Sequence, residues 1–297
     1  MREVAGKVAV VTGGAHGIGL AMGRRFAAAG MKVMLADIQA TPLDAAVASL
    51  RSEDLDVAAC VTDVTDLDSV ERLARETQDR FGGVHVLCNN AGIGPGGQTL
   101  LWDYEPNDWR WCVDVNVYGV AWGIKAFVPV MLAQGTEGHI VNTSSGNGGI
   151  APMGDAPIYA MTKSAVTTLT ELLYYQLRTE GTKLSCSVLY PGPNWLRTNL
   201  WEAWRTRPER YARAAERSAP RPSFEQFEQQ MAAAGAPLAI TPLEEVAQRV
   251  LDAILADRFW INPGRDDALD ARYDSMKARR NPDYFRDWNP AAASAEG

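Results

Sequence analysis

Residues 7–19 read KVAVVTGGAHGIG, a short run of β-branched residues that leads directly into a glycine-rich turn. The run at 7–12 lacks polar alternation, as is typical of a strand covered by helices on both faces. The turn opens an amphipathic helical pattern at 17–29. A strand, a glycine-rich turn and a helix in this order predict the first unit of a nucleotide-binding α/β sheet.

Outward from this unit, short apolar runs alternate with longer amphipathic segments as far as residue 190. The predicted strands are 7–12, 32–37, 56–61, 84–89, 138–144 and 184–190, and the predicted helices are 17–29, 42–50, 67–80, 109–134 and 157–180. Alternation of this kind indicates repeated βαβ units with right-handed crossovers. We therefore expect a Rossmann-like, doubly wound parallel sheet with helices on both faces.

The pattern changes after Pro191-Gly192, where residues 193–240 are rich in Arg, Glu, Ala and aromatic side chains. We predict a helical substrate lobe inserted there after the sixth strand, then a helix at 242–256 and a last strand at 259–262. A charged, alanine-rich tail at 266–297 is expected to be loosely held beyond Pro290. Although the length would permit two domains, we favour one domain over residues 1–297.

Composition argues against several classes of protein. The chain has 29 basic and 36 acidic residues, a net charge of −7, which does not favour nucleic acid or an anionic membrane surface as partners. No apolar stretch looks long enough to span a bilayer, and only six residues precede the first strand. Four widely spaced cysteines form no metal-binding or redox pattern, so we expect reduced thiols, no metal and a cytoplasmic location.

The turn after the first strand is the predicted cofactor site. Backbone N–H groups of such a turn and of the following helix can meet a pyrophosphate, and glycine lets the backbone approach it closely. The residues expected to contact the cofactor here are Gly13, His16, Gly17, Ile18 and Gly19.

Asp37 ends the second predicted strand, 18 residues after Gly19. Its carboxylate can accept hydrogen bonds from a ribose 2′-hydroxyl and would repel a 2′-phosphate. The neighbouring Ala36, Ile38 and Gln39 supply no compensating cation. The sequence therefore favours NAD over NADP.

Further motifs follow in a fixed order along the chain. They are the turn at 12–19, Asp63 after the third strand, Asn89-Asn90-Ala91-Gly92 after the fourth, Asn116 in the next helix, Ser144-Ser145 after the fifth strand, the segment from Tyr159 to Lys163, and Pro191-Gly192 after the sixth. Over residues 7–192 the chain resembles the classical short-chain dehydrogenase/reductase family. The resemblance implies an NAD-dependent alcohol dehydrogenase or ketone reductase.

The resemblance also assigns expected roles beside the cofactor. It places Asp63 and Val64 next to the adenine and Asn90 in the cofactor cleft. Taken alone, Asp63 would be interpreted as the N-cap of the helix that begins at Leu67, and both roles are compatible.

Tyr159 and Lys163 are four residues apart, so on a helix they share one face. A phenol is a poor base at neutral pH, but a nearby ammonium group and a cationic nicotinamide would favour its ionised form. The resemblance makes Tyr159 the catalytic acid/base, and Lys163 the residue that tunes it and holds the ribose. Without the other motifs, this spacing would indicate only packing and a solvated lysine.

Ser145 is the candidate donor to the substrate oxygen, with Ser144 as the competitor, because adjacent residues of a strand point to opposite faces. The resemblance favours Ser145. It also makes Asn116 the fourth catalytic residue, holding a water that links Lys163 to solvent. The alternative is that Asn116 is simply tolerated within the helix.

The predicted lobe carries six aromatic residues: Trp195, Trp201, Trp204, Tyr211, Phe224 and Phe227. They can close an apolar cleft, or they can pack the lobe onto the sheet. The first alternative predicts a bulky, apolar secondary alcohol or ketone, aromatic or polycyclic, as the substrate. Thr198 lies further beyond Pro191-Gly192 than the threonine that reaches the cofactor in this family, so the sequence assigns it no role.

Relatives of this type are usually homodimers or homotetramers joined through the helices expected at 109–134 and 157–180. Trp109-Arg110-Trp111 fits such an interface and equally fits a core. Two other functions remain: an extended-type nucleotide-sugar epimerase or dehydratase, which the motifs resemble less, and an NAD-binding sensor or scaffold without catalysis.

Overall fold

The computed structural model describes residues 1–94, 100–154, 156–214, 223–262 and 267–279. Within them, one parallel sheet has the strand order β3-β2-β1-β4-β5-β6-β7. The strands are β1 Val8–Thr12, β2 Lys32–Asp37, β3 Val57–Val61, β4 Val86–Asn89, β5 Gly138–Thr143, β6 Leu184–Leu189 and β7 Trp260–Ile261. The chain runs outward from β1 to β3, returns to β4 and continues to β7, so the predicted doubly wound fold is confirmed.

Helices cover both faces of the sheet. Their bounds are α1 Gly17–Ala28, α2 Ala40–Arg51, α3 Leu67–Phe81, α4 Pro106–Val113, α5 Gly119–Gln134, α6 Pro157–Thr179, α7 Phe224–Ala233, α8 Leu243–Leu255 and α9 Asp267–Lys277. Apolar residues of α1, α2 and α8 form one buried cluster with the sheet, and those of α3, α5 and α6 form another. Every residue of β1 is buried, as its unbroken apolar sequence predicts.

The start of α3 corrects one prediction. Asp66, and not Asp63, is the N-cap, since its side chain accepts a hydrogen bond from the backbone N–H of Asp68 at 3.1 Å. Asp63 instead accepts from the backbone and hydroxyl of Thr65. Asp66 directly precedes Leu67, the position from which a carboxylate reaches the free N–H groups of the first turn.

The helix expected at 109–134 begins earlier and is interrupted. It starts at Pro106, where Glu105 and Asp108 form a reciprocal capping box and proline takes the first turn. A π-helical turn, Asp114–Tyr118, separates α4 from α5. This turn contains Asn116, and such turns often occur at functional sites.

The expectation that no segment could span a bilayer is wrong on length. Within the described residues, the continuous helical stretch Pro106–Gln134 is long and apolar enough by those two measures. However, 44% of its most apolar window is buried inside the protein. The core helix of a soluble protein meets the same criteria, so this is weak evidence for a membrane segment.

The lobe after β6 contains short helical turns as well as α7. The 3₁₀ turns Asn199–Thr206 and Glu209–Tyr211 precede α7. Trp195 holds the base of the lobe, because its backbone N–H donates to Ala239 and its carbonyl accepts from Thr241. The lobe therefore begins and ends beside the carboxyl edge of the sheet.

Part of the predicted tail is ordered as α9. Arg272 of this helix donates to the carbonyl of Ile150 at 2.9 Å, and Leu269 packs on the buried cluster around Tyr190. The prediction of a loosely held segment beyond Pro290 lies outside the described residues.

The buried centre of the sheet gives a stability prediction. Leu87 on β4 is fully buried, so replacing it with alanine should lower the free energy of unfolding by about 2–5 kcal/mol. Leu255, at the exposed end of α8, is the matched control and should lose less than about 1 kcal/mol when replaced with alanine. Urea denaturation measures both, and equal losses would contradict the assigned core.

Candidate active site

The carboxyl ends of the strands open into one cavity of about 970 Å³. Because all the strands are parallel, the residues that follow β1 to β6 meet along the same edge. All the predicted cofactor and catalytic residues line this cavity except Gly19 and Asn116. The structure thus brings together motifs that are up to 150 residues apart in the sequence.

The glycine-rich turn is held tightly against the segment after β4. Gly13 has a φ of +66°, and a Cβ there would lie 2.9 Å from the Cα of Ala91. The hydroxyl of Thr12 accepts from the backbone N–H groups of Asn90 and Ala91, and the Asn90 amide donates to the Thr12 carbonyl. A Cβ on Gly19 would overlap the carbonyl of Gly13. Gly19 therefore allows the close approach of the Gly13 carbonyl and does not line the cavity.

The first turn of α1 lacks the side-chain cap found on α3. His16 occupies the N-cap position without a capping hydrogen bond, and no acidic residue follows in the first turn. Gly17 and Ile18 line the cavity at this helix end. Free backbone N–H groups at a helix N-terminus favour an anion, so these residues fit a pyrophosphate.

Asp37 lies beside this turn at the end of β2. One carboxylate oxygen accepts from the N–H of Ala15 at 3.1 Å and the other from the N–H of Gln39 at 3.0 Å. Each oxygen keeps an acceptor site, since a carboxylate accepts about four hydrogen bonds. The geometry leaves Asp37 able to accept from two ribose hydroxyls.

Asp63 has a partner that the sequence did not reveal. Arg210, from the lobe, donates to its carboxylate at 2.5 Å and to the hydroxyl of Thr65 at 2.8 Å. Burial acts to raise the pKa of Asp63, but hydrogen bonds from Thr65 and Arg210 outweigh that effect and lower it. The carboxylate therefore stays ionised at the cavity edge, where Val64 also lies.

The two serines after β5 point in different directions. The Ser144 hydroxyl is buried and bonds the Lys163 carbonyl at 2.8 Å and the Thr167 hydroxyl at 2.9 Å. Ser145 lines the cavity together with Tyr159, acts to lower the pKa of that tyrosine, and accepts from the N–H of Asn147 at 3.2 Å. Of the two candidates, Ser145 thus shares the cavity with the tyrosine, and the Ser144 hydroxyl has a structural position.

Tyr159 and Lys163 share one face of α6 as the spacing predicts, with the Lys163 ammonium 5.5 Å from the centre of the tyrosine ring. Burial raises the pKa of Tyr159 to about 12, against the opposing effect of the hydrogen bond from Ser145. Burial lowers the pKa of Lys163 to about 8. Desolvation thus opposes the ionised tyrosine that the sequence led us to expect, and further positive charge is needed to favour it.

Lys163 is oriented by the backbone around it. Its ammonium donates to the carbonyl of Thr143 at 2.8 Å. A Cβ on Gly92 would lie 3.3 Å from the Lys163 ammonium and 3.4 Å from the Asn116 amide oxygen. Glycine at this position lets Lys163 and Asn116 approach the same short segment.

Asn116 is fully buried in the π-helical turn. Its amide accepts from the N–H of Ile93 at 2.8 Å and donates to the Ile93 carbonyl and the Thr162 hydroxyl, both at 2.9 Å. The side chain therefore joins the segment after β4 to α6. Its predicted role, holding a water near Lys163, stays a prediction.

The aromatic residues of the lobe divide between the two expected roles, lining an apolar cleft and packing the lobe. Trp195 and Trp201 line the cavity, whereas Phe224 and Phe227 are buried behind them. Trp201 stacks on Phe227 at 5.0 Å, and Trp195 meets the same ring edge-on at 5.3 Å. The phenylalanines support the tryptophans, which form one wall of the cavity. Trp204 is 48% exposed and lies outside the cavity lining.

Thr198 packs against the glycine-rich turn. A Cβ on Gly17 would meet its methyl group at 3.4 Å. The lobe therefore reaches the glycine-rich turn as well as the wall formed by Trp195 and Trp201. Whether Thr198 contacts the cofactor stays open.

Residues 207–214, here called the strap, fasten the lobe to α4. Asp108 is fully buried and pairs with Arg207 at 2.5 Å and Arg213 at 2.8 Å. Tyr211 donates to Asp114 at 2.7 Å, and its ring belongs to the apolar cluster around Trp111. No sequence motif singled out Asp108, although its position three residues after Glu105 is the spacing of a capping box.

Arg249 of α8 is a second residue that the sequence did not single out. Its guanidinium donates to the carbonyls of Pro191 at 2.8 Å and Gly192 at 2.9 Å. It thereby fixes the segment that leads from β6 into the lobe.

Comparisons with known proteins identify the family of the chain. A family model described as short chain dehydrogenase matches residues 7–208. The 1-deoxy-11-beta-hydroxypentalenate dehydrogenase of Streptomyces arenae is 40% identical over 191 residues, which are 63% of this chain and 66% of that protein, just under two thirds of its length.

Two solved structures illustrate the range of bound cofactors. A short chain dehydrogenase/reductase from Burkholderia phymatum, in complex with NAD, is 36% identical with a TM-score of 0.84, and the match covers 95% of this chain and 98% of that one. A metagenomic short-chain oxidoreductase in complex with NADP is 30% identical with a TM-score of 0.58 over 63% of this chain and 83% of that one. Proteins of this fold thus bind NAD or NADP.

The buried carboxylate of Asp108 gives a prediction for the lobe. Asp108→Asn removes the charge that balances Arg207 and Arg213, so it should lower the free energy of unfolding by about 3–5 kcal/mol. Trypsin should also cut the strap faster in this variant. Glu53→Gln, which removes an exposed partner of Arg24, is the control and should change neither measurement. Equal proteolysis of the Asp108 variant and the unmodified protein would show that the pair does not hold the strap.

Proposed function

The chain belongs to the short-chain dehydrogenase/reductase family, and we propose that it is an NAD-dependent oxidoreductase. Its reaction would transfer a hydride between a secondary alcohol or ketone and the nicotinamide ring. The observation that carries the proposal is one continuous cavity, lined by the glycine-rich turn and also by Ser145, Tyr159 and Lys163. A cofactor and a substrate oxygen can therefore be held in the same space.

Four residues have proposed roles in the reaction. Tyr159 passes a proton to or from the substrate oxygen, and Ser145 donates a hydrogen bond to that oxygen as charge develops on it. Lys163 favours the ionised tyrosine and binds the ribose, and Asn116 fixes the segment beside Lys163. A bound nicotinamide accepts or supplies the hydride.

The residues of the turn fit the pyrophosphate of such a cofactor. We assign Gly13, His16, Gly17, Ile18 and Gly19 to it directly or through the shape of the turn. Two further groups complete the proposed site: Asp37 for the ribose, and Asp63, Val64 and Asn90 along the cleft.

Preference for NAD is proposed from the charge near the ribose. Asp37 carries a carboxylate there, and Arg210, an arginine that lines the cavity, is already paired with Asp63. A 2′-phosphate would meet an anion without a dedicated cation.

A bulky, apolar substrate is proposed from the walls beyond Tyr159. Trp195, Trp201, Trp111, Tyr104 and Met153 line the cavity. Aromatic and polycyclic secondary alcohols fit such walls, since flat apolar surfaces bury well against tryptophan.

The assembly and location are proposals too. We propose a homodimer or homotetramer in the cytoplasm. Leu172 and Tyr175 on α6 are 58% and 68% exposed, which fits a face that a second copy covers. Trp111 is buried, so it belongs to the core and not to that face.

The reaction is tested by a panel of hydrophobic secondary alcohols with NAD at alkaline pH, followed by NADH absorbance. Tyr159→Phe should reduce kcat at least about 10²-fold with little change in NAD affinity, because only the proton transfer is lost. Tyr174→Phe, a partly buried tyrosine on the same helix, is the matched control and should keep full turnover. Near-normal turnover by Tyr159→Phe would refute the assignment. Tight NAD binding without turnover of any alcohol would favour the sensor or scaffold function.

The cofactor preference is tested at Asp37. The unmodified protein should show a KM for NADP more than about tenfold that for NAD. Asp37→Asn keeps an acceptor for the N–H of Ala15 and removes the charge, so it should narrow this ratio mainly by lowering the KM for NADP. Equal efficiency with both cofactors in the unmodified protein would overturn the preference.

A further inference from the structure

Arg210 joins the strap to the residues at the carboxyl end of β3. Its guanidinium bonds Asp63 and Thr65, and it lines the cavity with 50% of its side chain exposed. No sequence motif singled it out, because it lies 147 residues from Asp63 in the chain.

Arg210 is held there from both ends of the strap. Arg207 and Arg213 pair with the buried Asp108, and Tyr211 bonds Asp114. The guanidinium carbon of Arg210 also lies 4.8 Å from the centre of the Tyr211 ring. With its neighbours fixed, the guanidinium keeps a defined position without a bound ligand.

The strand order indicates what would lie beside it. The turn after β1 faces the pyrophosphate, and Asp37 at the end of β2 faces the adenosine ribose. Because the sheet continues in the order β1, β2, β3, the adenine would lie beyond Asp37, next to the residues that follow β3. Those residues, Asp63 to Thr65, are the ones that Arg210 contacts.

We propose that Arg210 is an adenosine-binding residue that the substrate lobe supplies to the cofactor site. The inference rests on the proposed function. A planar guanidinium stacks on an aromatic face, and adenine offers such a face. Asp63 and Thr65 hold the plane in place, so little conformational freedom is lost when the base binds.

The strap thereby contributes two adjacent residues to the cavity. Tyr211 lines the cavity from the lobe, and Arg210 would touch the base of the cofactor. An adenine nucleotide should therefore protect the strap from hydrogen exchange, although the strap is distant in sequence from every cofactor motif.

The test is titration calorimetry of the full chain with AMP, ADP-ribose and NAD. Arg210→Met should weaken all three by about tenfold, since all three contain the adenosine and a half-exposed cation–π contact is of that order. Arg210→Lys keeps the charge without the planar group and should weaken them by about threefold. Arg197→Met removes a comparable lobe ion pair, with Glu228 at 2.7 Å, and should leave all three affinities unchanged. Thermal unfolding verifies that each variant is folded.

The outcomes separate this inference from the proposed function. If the unmodified protein binds none of the three nucleotides, the proposed function and the inference both fail. If it binds them and Arg210→Met binds AMP equally well or more tightly, the inference alone is overturned. If Arg210→Met weakens the binding of NAD but not of AMP, Arg210 acts through the structure of the lobe, and the inference is again overturned. Nucleotide-dependent protection of residues 207–214 that disappears in Arg210→Met supports it.

Discussion

The parallel direction of the strands is the constraint on which the site depends. Since every strand of the sheet runs the same way, the segments after β1, β2, β3, β4, β5 and β6 all emerge at one edge. The clamp between Thr12 and the backbone of Asn90 and Ala91 then fixes the two central segments against each other. A strand inserted in the opposite direction would bring its N-terminal end to that edge. Tyr159 comes from a helix, but it reaches the same place because α6 begins where the chain leaves β5.

Burial, and not the lysine, dominates the chemistry of the candidate acid/base. Removing Tyr159 and Lys163 from water disfavours the charged form of each, so the pKa of Tyr159 rises and the pKa of Lys163 falls. The family resemblance implies the reverse, an ionised Tyr159 beside a charged Lys163. The same burial strengthens the attraction between an ionised Tyr159 and any positive charge brought into the cavity, because water screens that attraction poorly there. In the proposed reaction, a cationic nicotinamide would therefore favour the ionised form of Tyr159.

The lobe is tied to the sheet by polar contacts as much as by apolar packing. Its aromatic residues pack mostly on each other, whereas Asp108 binds two arginines of the strap and Arg249 binds the backbone at the base of the lobe. Buried charges require partners, so the strap cannot leave α4 without exposing or stranding them. These pairs hold the lobe as a wall of the cavity and hold the strap where Arg210 meets Asp63.

The sequence by itself determined the alternation of strands and helices, the glycine-rich turn and the order of the motifs, because each depends on residues close together in the chain. It therefore predicted the sheet, most element bounds and the cavity-lining residues Asp37, Ser145, Tyr159 and Lys163. Only the tertiary structure decided that the Ser144 hydroxyl is buried against Lys163 and Thr167, and that the lobe supplies Arg210 to Asp63. Those outcomes depend on side-chain direction, burial and contacts between segments from 19 to 147 residues apart, and no local pattern encodes them.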